Sequence, residues 1–128
     1  MPLIRIDTRA TYTVDERTAL GHGVHQALVE TLGIPALDRF QVITAHADDG
    51  LIFDAQYLGI PRTTRVVLIQ ITLSTGRTLE QKRALYAAIV RNLAGDPGVR
   101  PEDVFINLIE VAKENWSFGN GIAQYAAP

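Results

Sequence analysis

The feature that most constrains this chain is an internal repeat, because the sequence overlays on itself without a gap when it is shifted by 65 positions. Leu3-Ile4-Arg5-Ile6 aligns with Leu68-Ile69-Gln70-Ile71, and Thr13-Val14-Asp15-Glu16 aligns with Thr78-Leu79-Glu80-Gln81. Further along, Asp38 and Phe40 align with Asp103 and Phe105. The sequence therefore predicts two copies of one unit, residues 2–65 and 66–128, within a single domain.

Each unit is predicted to run strand, helix, strand. The first strand is rich in Ile, Leu and Val. A capping box then starts the helix, formed by Thr13 with Glu16 in the first unit and by Thr78 with Gln81 in the second. Apolar residues recur at helical spacing after each box. The predicted second strands are residues 40–45 and 104–111.

Together the two units predict a complete fold. A strand, a helix and a parallel strand form a right-handed βαβ unit. We therefore expect an α/β (α+β) fold, in which a pseudo-two-fold relates the halves of a four-stranded mixed sheet and two helices cover one face. Residues 66–69 are apolar at consecutive positions, which indicates a strand buried on both faces. Another copy of the chain is expected to cover the second face, giving a homo-oligomer. Gly119-Asn120-Gly121 predicts a hairpin turn.

Composition excludes several classes of function. The chain is 47% hydrophobic and 20% charged, as in folded proteins. Its net charge of −2 and the lack of a basic run argue against nucleic-acid binding. Cysteine is absent, so neither disulfides nor thiolate metal sites are expected. No apolar run approaches membrane-spanning length, and we expect no membrane association and a cytoplasmic location.

The N-terminal Met1-Pro2 offers a chemical group. If Met1 is removed, the predicted first strand opens with the secondary amine of Pro2, which is a general base when neutral and a general acid when protonated. An α-amino group has an ordinary pKa near ~8, which burial or a nearby cation lowers and a carboxylate raises. Met-Pro alone is a common sequence, so the interpretation depends on what surrounds it.

Several motifs taken together resemble the tautomerase superfamily. They are the two 65-residue units, Met1-Pro2, Asp38 within residues 35–41, the helix start Glu80-Gln81-Lys82, and Asn115-Trp116-Ser117-Phe118-Gly119. Within that superfamily the chain is most similar to the malonate semialdehyde decarboxylase group. The resemblance implies a homotrimer with helices outside, a catalytic N-terminal proline exposed by removal of methionine, and no metal or organic cofactor.

The resemblance also implies roles for individual residues. Pro2 matches the catalytic proline and Asp38 the catalytic aspartate. The family's decarboxylases carry Arg-Pro-Arg after the third main strand, where this chain has Thr75-Gly76-Arg77, so Arg77 matches the second arginine and Thr75 replaces the first. The residues implied to form the apolar wall of the substrate pocket are Trp116, Phe118 and Tyr125.

Topology brings these positions to one edge of the predicted sheet. Pro2 and Asp38 precede two parallel strands, which start at the same edge. In a pseudo-two-fold arrangement the second unit runs the opposite way, so Arg77 and Trp116, which follow strands, reach that edge too. We therefore expect an amine, a carboxylate, a guanidinium and an aromatic wall around one pocket.

The sequence is compatible with three functions. The first is decarboxylation of a short 3-oxo acid, with hydratase side activity. The second is a keto-enol tautomerase or hydratase acting on a phenylpyruvate-type substrate, since Thr75 leaves one carboxylate clamp missing. The third is a non-catalytic trimer that binds a small carboxylate or a protein. Retained Met1 would favour the third, because the nitrogen of an internal proline is neither basic nor a proton donor.

Each proposed site residue also has a structural alternative. Asp38 matches Asp103 in the second unit, and a turn cap is an equally good interpretation of it. His22 and His25, three residues apart, lack an evident third metal ligand and are interpreted as surface or packing residues. Other candidates for binding a substrate anion are Arg5, Arg9, Arg39, Arg62 and Arg65.

Overall fold

The computed structural model describes residues 1–128. Four strands and two helices make up its regular structure, with short 3₁₀ turns at Tyr57–Gly59, Pro101–Asp103 and Lys113–Asn115. In chain order the main elements are β1 (Leu3–Arg9), α1 (Val14–Leu32), β2 (Gln41–His46), β3 (Val67–Ser74), α2 (Leu79–Gly95) and β4 (Val104–Val111). Neither helix combines the length and the apolar character needed to cross a membrane.

The strands form one mixed sheet in the order β2-β1-β3-β4. β1 pairs in parallel with β2, and β3 with β4, while β1 and β3 are antiparallel at the centre. This arrangement confirms the predicted pair of βαβ units related by a pseudo-two-fold. It also means that the starts of β1 and β2 lie at the same edge as the ends of β3 and β4.

Both helices begin at the predicted capping boxes. Thr13 Oγ1 accepts a hydrogen bond from the backbone N–H of Glu16, whose side chain accepts from the Thr13 N–H in return. Thr78 and Gln81 repeat the pattern at α2. Each box satisfies two backbone donors that a helix start leaves free. Gly33, in the left-handed region with φ 66°, ends α1.

The core lies between the helices and one face of the sheet. Ile4 and Ile6 of β1 and Ile69 and Ile71 of β3 are essentially inaccessible to solvent and pack with apolar residues of both helices. The opposite face, which we call the open face, carries large apolar side chains that remain a third to a half exposed. They include Leu3, Val42, Phe105 and Ile109.

Two local predictions differ from the structure. The second strand runs from Gln41 to His46, one residue later than predicted. The hairpin prediction is wrong, because no strand follows β4 and residues 119–121 form a turn within an irregular tail. Positive φ angles at Gly119, Asn120 and Gly121 fit a tight turn, but the side chain of Gln124 holds it in place of a partner strand.

Candidate active site

The edge where β1 and β2 start and β3 and β4 end, which we call the site edge, gathers the chemical groups. Pro2 precedes β1, and Asp38 lies in the turn before β2. Residues 75–77 follow β3, and residues 113–118 follow β4. The register fixes this convergence, because Leu3 pairs with Thr72 near the end of β3 and Ser74 pairs with Val111 at the end of β4.

An apolar cavity of about 220 Å³ lies beside Pro2. Pro2 is buried, and Trp116 and Phe118 stack against each other with ring centroids 5.4 Å apart. The rings of Tyr125 and Phe118 pack edge to face, with their centroids 4.9 Å apart. The indole N–H of Trp116 donates a hydrogen bond to Ser74 Oγ at 3.0 Å, which fixes the ring against the end of β3. The wall is therefore ordered by polar as well as aromatic contacts.

A second, polar cavity of about 440 Å³ adjoins the first. Met1 lines both cavities and so separates them. The other residues around the polar cavity are Ser74, Thr75, Gly76, Arg77, Gln81, Lys113 and Tyr125. Two cations face this space and no carboxylate lines it, so the cavity favours an anion. Loss of Met1 would join it to the apolar cavity beside Pro2.

The N-terminal amine, carried here by Met1, responds to this environment. Burial lowers its pKa below the ordinary value of 8.0, and the charges of Arg77 and Lys113 lower it further, while the Asp38 carboxylate opposes them. Asp38 and Arg77 thus act on the amine from the same small region. A lowered pKa brings the change in protonation of this amine closer to neutral pH.

Asp38 is positioned by a turn but not neutralised by it. Its backbone N–H donates to the Pro35 carbonyl at 2.9 Å, whereas its Oδ1 is buried without a hydrogen-bond partner. Burial raises the pKa of Asp38, and the N-terminal amine and His25 lower it in part. A buried carboxylate oxygen without a protein partner is costly and is typical of a functional position.

Arg77 is oriented by the end of helix α1. Its Nη1 donates to the backbone carbonyl of Leu32, the last residue of α1, at 2.9 Å. The final carbonyls of a helix lack partners within it, so this bond caps the helix and holds the guanidinium plane. The other N–H groups of Arg77 remain available to the polar cavity.

The structure therefore places all seven proposed site residues at the site edge. Pro2, Trp116 and Phe118 line the apolar cavity, and Thr75, Arg77 and Tyr125 line the polar one. Asp38 lines neither cavity, but its charge acts on the amine. Sequence reasoning missed Ser74, Phe40 and Lys113. No sequence motif marks them, and the available signal was their position at, or within two residues of, the ends of strands that reach this edge.

The other arginines lie elsewhere. Arg9 donates to the Leu51 carbonyl and stacks on Phe53, and Arg39 donates to Gln41. Arg62 donates to backbone carbonyls, and Arg65 pairs with Glu16. Arg5 projects from β1 and lines neither cavity of the site edge.

The histidines have structural contacts. His25 is buried and its Nε2 bonds the Ala36 carbonyl at 2.8 Å, next to the Asp38 turn, whereas His22 is exposed. His46 contacts Asp7 Oδ1 through Nε2 at 2.6 Å. No three His, Asp or Glu side chains lie close enough together to hold a metal ion.

Comparison with known proteins identifies the family. A family model described as "Tautomerase enzyme" matches residues 38–119, and another with the same description matches residues 2–59. The chain belongs to the tautomerase family. Two Bacillus subtilis (strain 168) tautomerase-family proteins are similar over nearly their full lengths. "Probable tautomerase YusQ" is 40% identical over 97% of this chain and 98% of its own, and "Probable tautomerase YrdN" is 30% identical over 98% and 96%.

Solved structures in this family share the fold. FG41 malonate semialdehyde decarboxylase, inhibited by 3-bromopropiolate, is 46% identical and superposes with a TM-score of 0.91 over 96% of this chain and 93% of its own. A malonate semialdehyde decarboxylase described with decarboxylase and hydratase activities is 32% identical, with a TM-score of 0.89 over 96% and 95%. A fused 4-OT symmetric trimer, at 24% identity and a TM-score of 0.79 over 98% and 99%, shares the fold alone.

Proposed function

We propose that this tautomerase-family chain is a malonate semialdehyde decarboxylase-like enzyme that uses the amine of Pro2, freed by removal of Met1, to decarboxylate a short 3-oxo acid. One observation carries the proposal. A buried Pro2 beside the Trp116 and Phe118 wall adjoins a cationic cavity, and the charges of Asp38 and Arg77 both act on the amine of Met1, the residue next to Pro2. Similarity to two malonate semialdehyde decarboxylases supports the choice of substrate class.

The guanidinium of Arg77 orients the substrate. Its Nη1 bond to Leu32 fixes the plane, so its remaining donors meet a carboxylate in a defined orientation. The carbonyl of a 3-oxo acid lies two bonds from the carboxylate carbon, which directs it from the polar cavity toward Pro2. The substrate then spans the two cavities that Met1 separates.

Pro2 in its protonated form stabilises the charge that develops. As the bond between the α-carbon and the carboxylate breaks, its electron pair moves toward the carbonyl, carbon dioxide leaves, and an enolate forms whose oxygen accepts a hydrogen bond from the Pro2 ammonium. Proton transfer to the α-carbon completes the reaction. A nearby carboxylate such as Asp38 favours the protonated form of the Pro2 amine, and Trp116 and Phe118 exclude water from the departing carboxylate.

A keto-enol tautomerase or hydratase is the second candidate function. Thr75 occupies the position where the family's decarboxylases carry an arginine. The loss of that arginine weakens binding of the substrate carboxylate that departs as carbon dioxide. The same Pro2 amine can move a proton between carbon and oxygen without breaking a carbon–carbon bond. The two Bacillus subtilis relatives bear the name tautomerase, which favours this alternative.

We also propose that the chain assembles as a homotrimer. Its open face exposes Leu3, Val42, Phe105 and Ile109, which form a surface too apolar to remain uncovered. The fused 4-OT neighbour, which shares the fold, is a symmetric trimer. Analytical ultracentrifugation tests this proposal, and a single monomeric species at micromolar concentration would contradict it.

The test of the catalytic proposal compares chains with and without a free Pro2 amine. Intact mass establishes whether Met1 has been removed. The matched control carries one lysine inserted between Met1 and Pro2, so that methionine is retained and Pro2 stays internal. We expect the processed chain to release carbon dioxide from malonate semialdehyde and the control to be slower by about a thousandfold. Equal activity in the two chains would contradict the proposal, provided that their unfolding midpoints agree.

A substrate comparison separates the two candidate reactions. Carbon dioxide release from malonate semialdehyde that collapses in Arg77→Ala supports the decarboxylase. Ketonisation of phenylenolpyruvate without carbon dioxide release supports the tautomerase. Absence of both reactions in a chain with a free Pro2 amine would leave a binding protein as the remaining function.

A further inference from the structure

Lys113 is a second cation at the proposed site. It opens the 3₁₀ turn that follows β4 and lines the polar cavity together with Arg77 and Thr75. Its charge reaches the N-terminal amine, whose pKa it helps to lower. Lys113 therefore belongs to the same electrostatic environment as Arg77, although nothing in its local sequence marks it.

Lys113 also lacks a competing partner within the chain. Lys82 pairs with Glu110, Arg65 with Glu16 and Arg91 with Glu30, whereas Lys113 forms no ion pair. No carboxylate lines the polar cavity, so nothing there neutralises Lys113 or Arg77. The other arginines that the sequence offered as anion ligands are engaged elsewhere or lie outside the cavity. An unpaired ammonium beside a held guanidinium makes this cavity an anion site.

We propose that Lys113 is the second carboxylate-binding cation, acting in place of the arginine that Thr75 replaces. This inference rests on the proposed function, because it assigns the group that holds the substrate carboxylate together with Arg77. The short side chain of Thr75 leaves the polar cavity open to Lys113. The carboxylate is then held by one oriented guanidinium and one mobile ammonium, where an arginine pair would supply two planar groups.

A pair of unreactive probes tests Lys113 independently of turnover. 3-Hydroxypropanoate and 3-hydroxypropanamide have the same size and differ in the negative charge of the carboxylate. We expect Lys113→Met to weaken binding of the carboxylate about tenfold at low ionic strength, measured by NMR titration, and to leave the amide unchanged. Lys113→Arg should restore binding to within about threefold, since it retains the charge.

Arg83→Met provides the matched control. Arg83 is exposed on α2, lines neither cavity and forms no ion pair, so its removal takes away one positive charge outside the site. It should change binding of neither probe. In the active enzyme the alkaline limb of kcat/KM should move to higher pH in Lys113→Met and stay in place in Arg83→Met, because loss of a positive charge from the polar cavity raises the pKa of a neighbouring amine.

The outcomes separate the inference from the proposed function. Carboxylate binding that is equal in Lys113→Met and the unchanged chain overturns the role of Lys113, as does failure of the carboxylate to bind the unchanged chain better than the amide. Neither result affects the Pro2 comparison with and without Met1. Conversely, a chain with a free Pro2 amine that catalyses nothing, yet loses carboxylate binding in Lys113→Met, refutes the enzyme and retains the anion site.

Discussion

The two edges of the sheet are built from equivalent positions of the repeat but hold their aspartates differently. At the site edge, Asp38 has a buried Oδ1 without a hydrogen-bond partner and a raised pKa. At the other edge, which we call the opposite edge, Asp103 is 1% exposed and accepts hydrogen bonds from the backbone N–H and the hydroxyl of Thr63, both at 2.7 Å. Arg100 lies 3.6 Å from its second oxygen. The fold supplies hydrogen-bond partners to the carboxylate of Asp103 and none to the buried Oδ1 of Asp38.

The cavities at the two edges correspond as well. The opposite edge carries an apolar cavity of about 230 Å³, close to the 220 Å³ beside Pro2. Five lining pairs differ by 65 positions: Met1 and Val66, Leu3 and Leu68, Phe40 and Phe105, Ser117 and Ile52, and Phe118 and Phe53.

The two cavities are similar in size and lining but differ in the chemical groups around them. The equivalent of Pro2 is Val67, an internal residue of β3 without an ionisable amine. Tyr12 occupies the place of Arg77, and its hydroxyl donates to the Arg65 carbonyl at 2.6 Å. The fold therefore forms a similar apolar cavity at both edges. Only at the site edge does this cavity lie near an amine, an unsatisfied carboxylate and cations without ion-pair partners. The difference teaches that polar groups without partners, more than cavity shape, mark the site.

The largest expected difference concerns stability. Asp103→Asn removes charge-assisted bonds within a buried network and should lower the free energy of unfolding by about 3 kcal/mol. Asp38→Asn should leave it unchanged or raise it slightly. The reason is that a folded-state pKa above the ordinary value means that ionised Asp38 destabilises the fold at neutral pH. Urea unfolding at pH 7 checks both, and equal losses would refute the contrast.

Catalytic activity should show the reverse order. Asp38→Asn is expected to lower kcat/KM about a hundredfold, because a neutral amide does not favour the protonated form of the Pro2 amine as a carboxylate does. Asp103→Asn, assayed at a temperature where it remains folded, should stay within about threefold of the unchanged chain, since its contacts lie at the other edge. A loss in Asp103→Asn as large as that in Asp38→Asn would show that the edges are not functionally distinct.

Much of the fold and of the site edge could be predicted from the sequence. The repeat register, both capping boxes and the strand order of a βαβ pair predicted which edge would gather Pro2, Asp38 and Arg77. Local chemistry sufficed there because caps and apolar periodicity act within a few residues.

The difference between the two aspartates could not be predicted from the sequence. Asp38 and Asp103 look alike in the sequence, and what distinguishes them is Thr63, forty residues away from Asp103 in the linker between the units. Lys113 was missed for the same reason, since the absence of a partner is a property of the folded chain. The hairpin prediction failed because the bonds of Gln124 to Phe118 and Gly119 replace strand pairing around the turn.

The pH dependence of kcat/KM should reflect the site edge alone. Activity needs ionised Asp38 and a protonated amine. It should therefore fall as pH drops through the raised pKa of Asp38, and fall again as pH rises and the Pro2 amine loses its proton. Beyond each limb the rate changes about tenfold per pH unit. Asp38→Asn should remove the acid limb, and an acid limb that survives this substitution would assign it to another group.

The smallest expected effects come from the pair Tyr12 and Arg77. Tyr12→Phe removes the bond to the Arg65 carbonyl and should cost about 1 kcal/mol of unfolding free energy without altering kcat/KM. Burial raises the pKa of Tyr12 to about 12, so this cost should not vary between pH 6 and 9.

Arg77→Met removes the cap on α1 and should cost about 0.5 kcal/mol, because the bond to Leu32 is partly exposed to water. It should nevertheless lower kcat/KM far more than Tyr12→Phe does. Thermal unfolding and steady-state kinetics on both variants test this crossing of effects. If the Arg77→Met variant loses stability but keeps full activity, the role of Arg77 is only to cap the helix. Lys113 is then the remaining cation of the polar cavity.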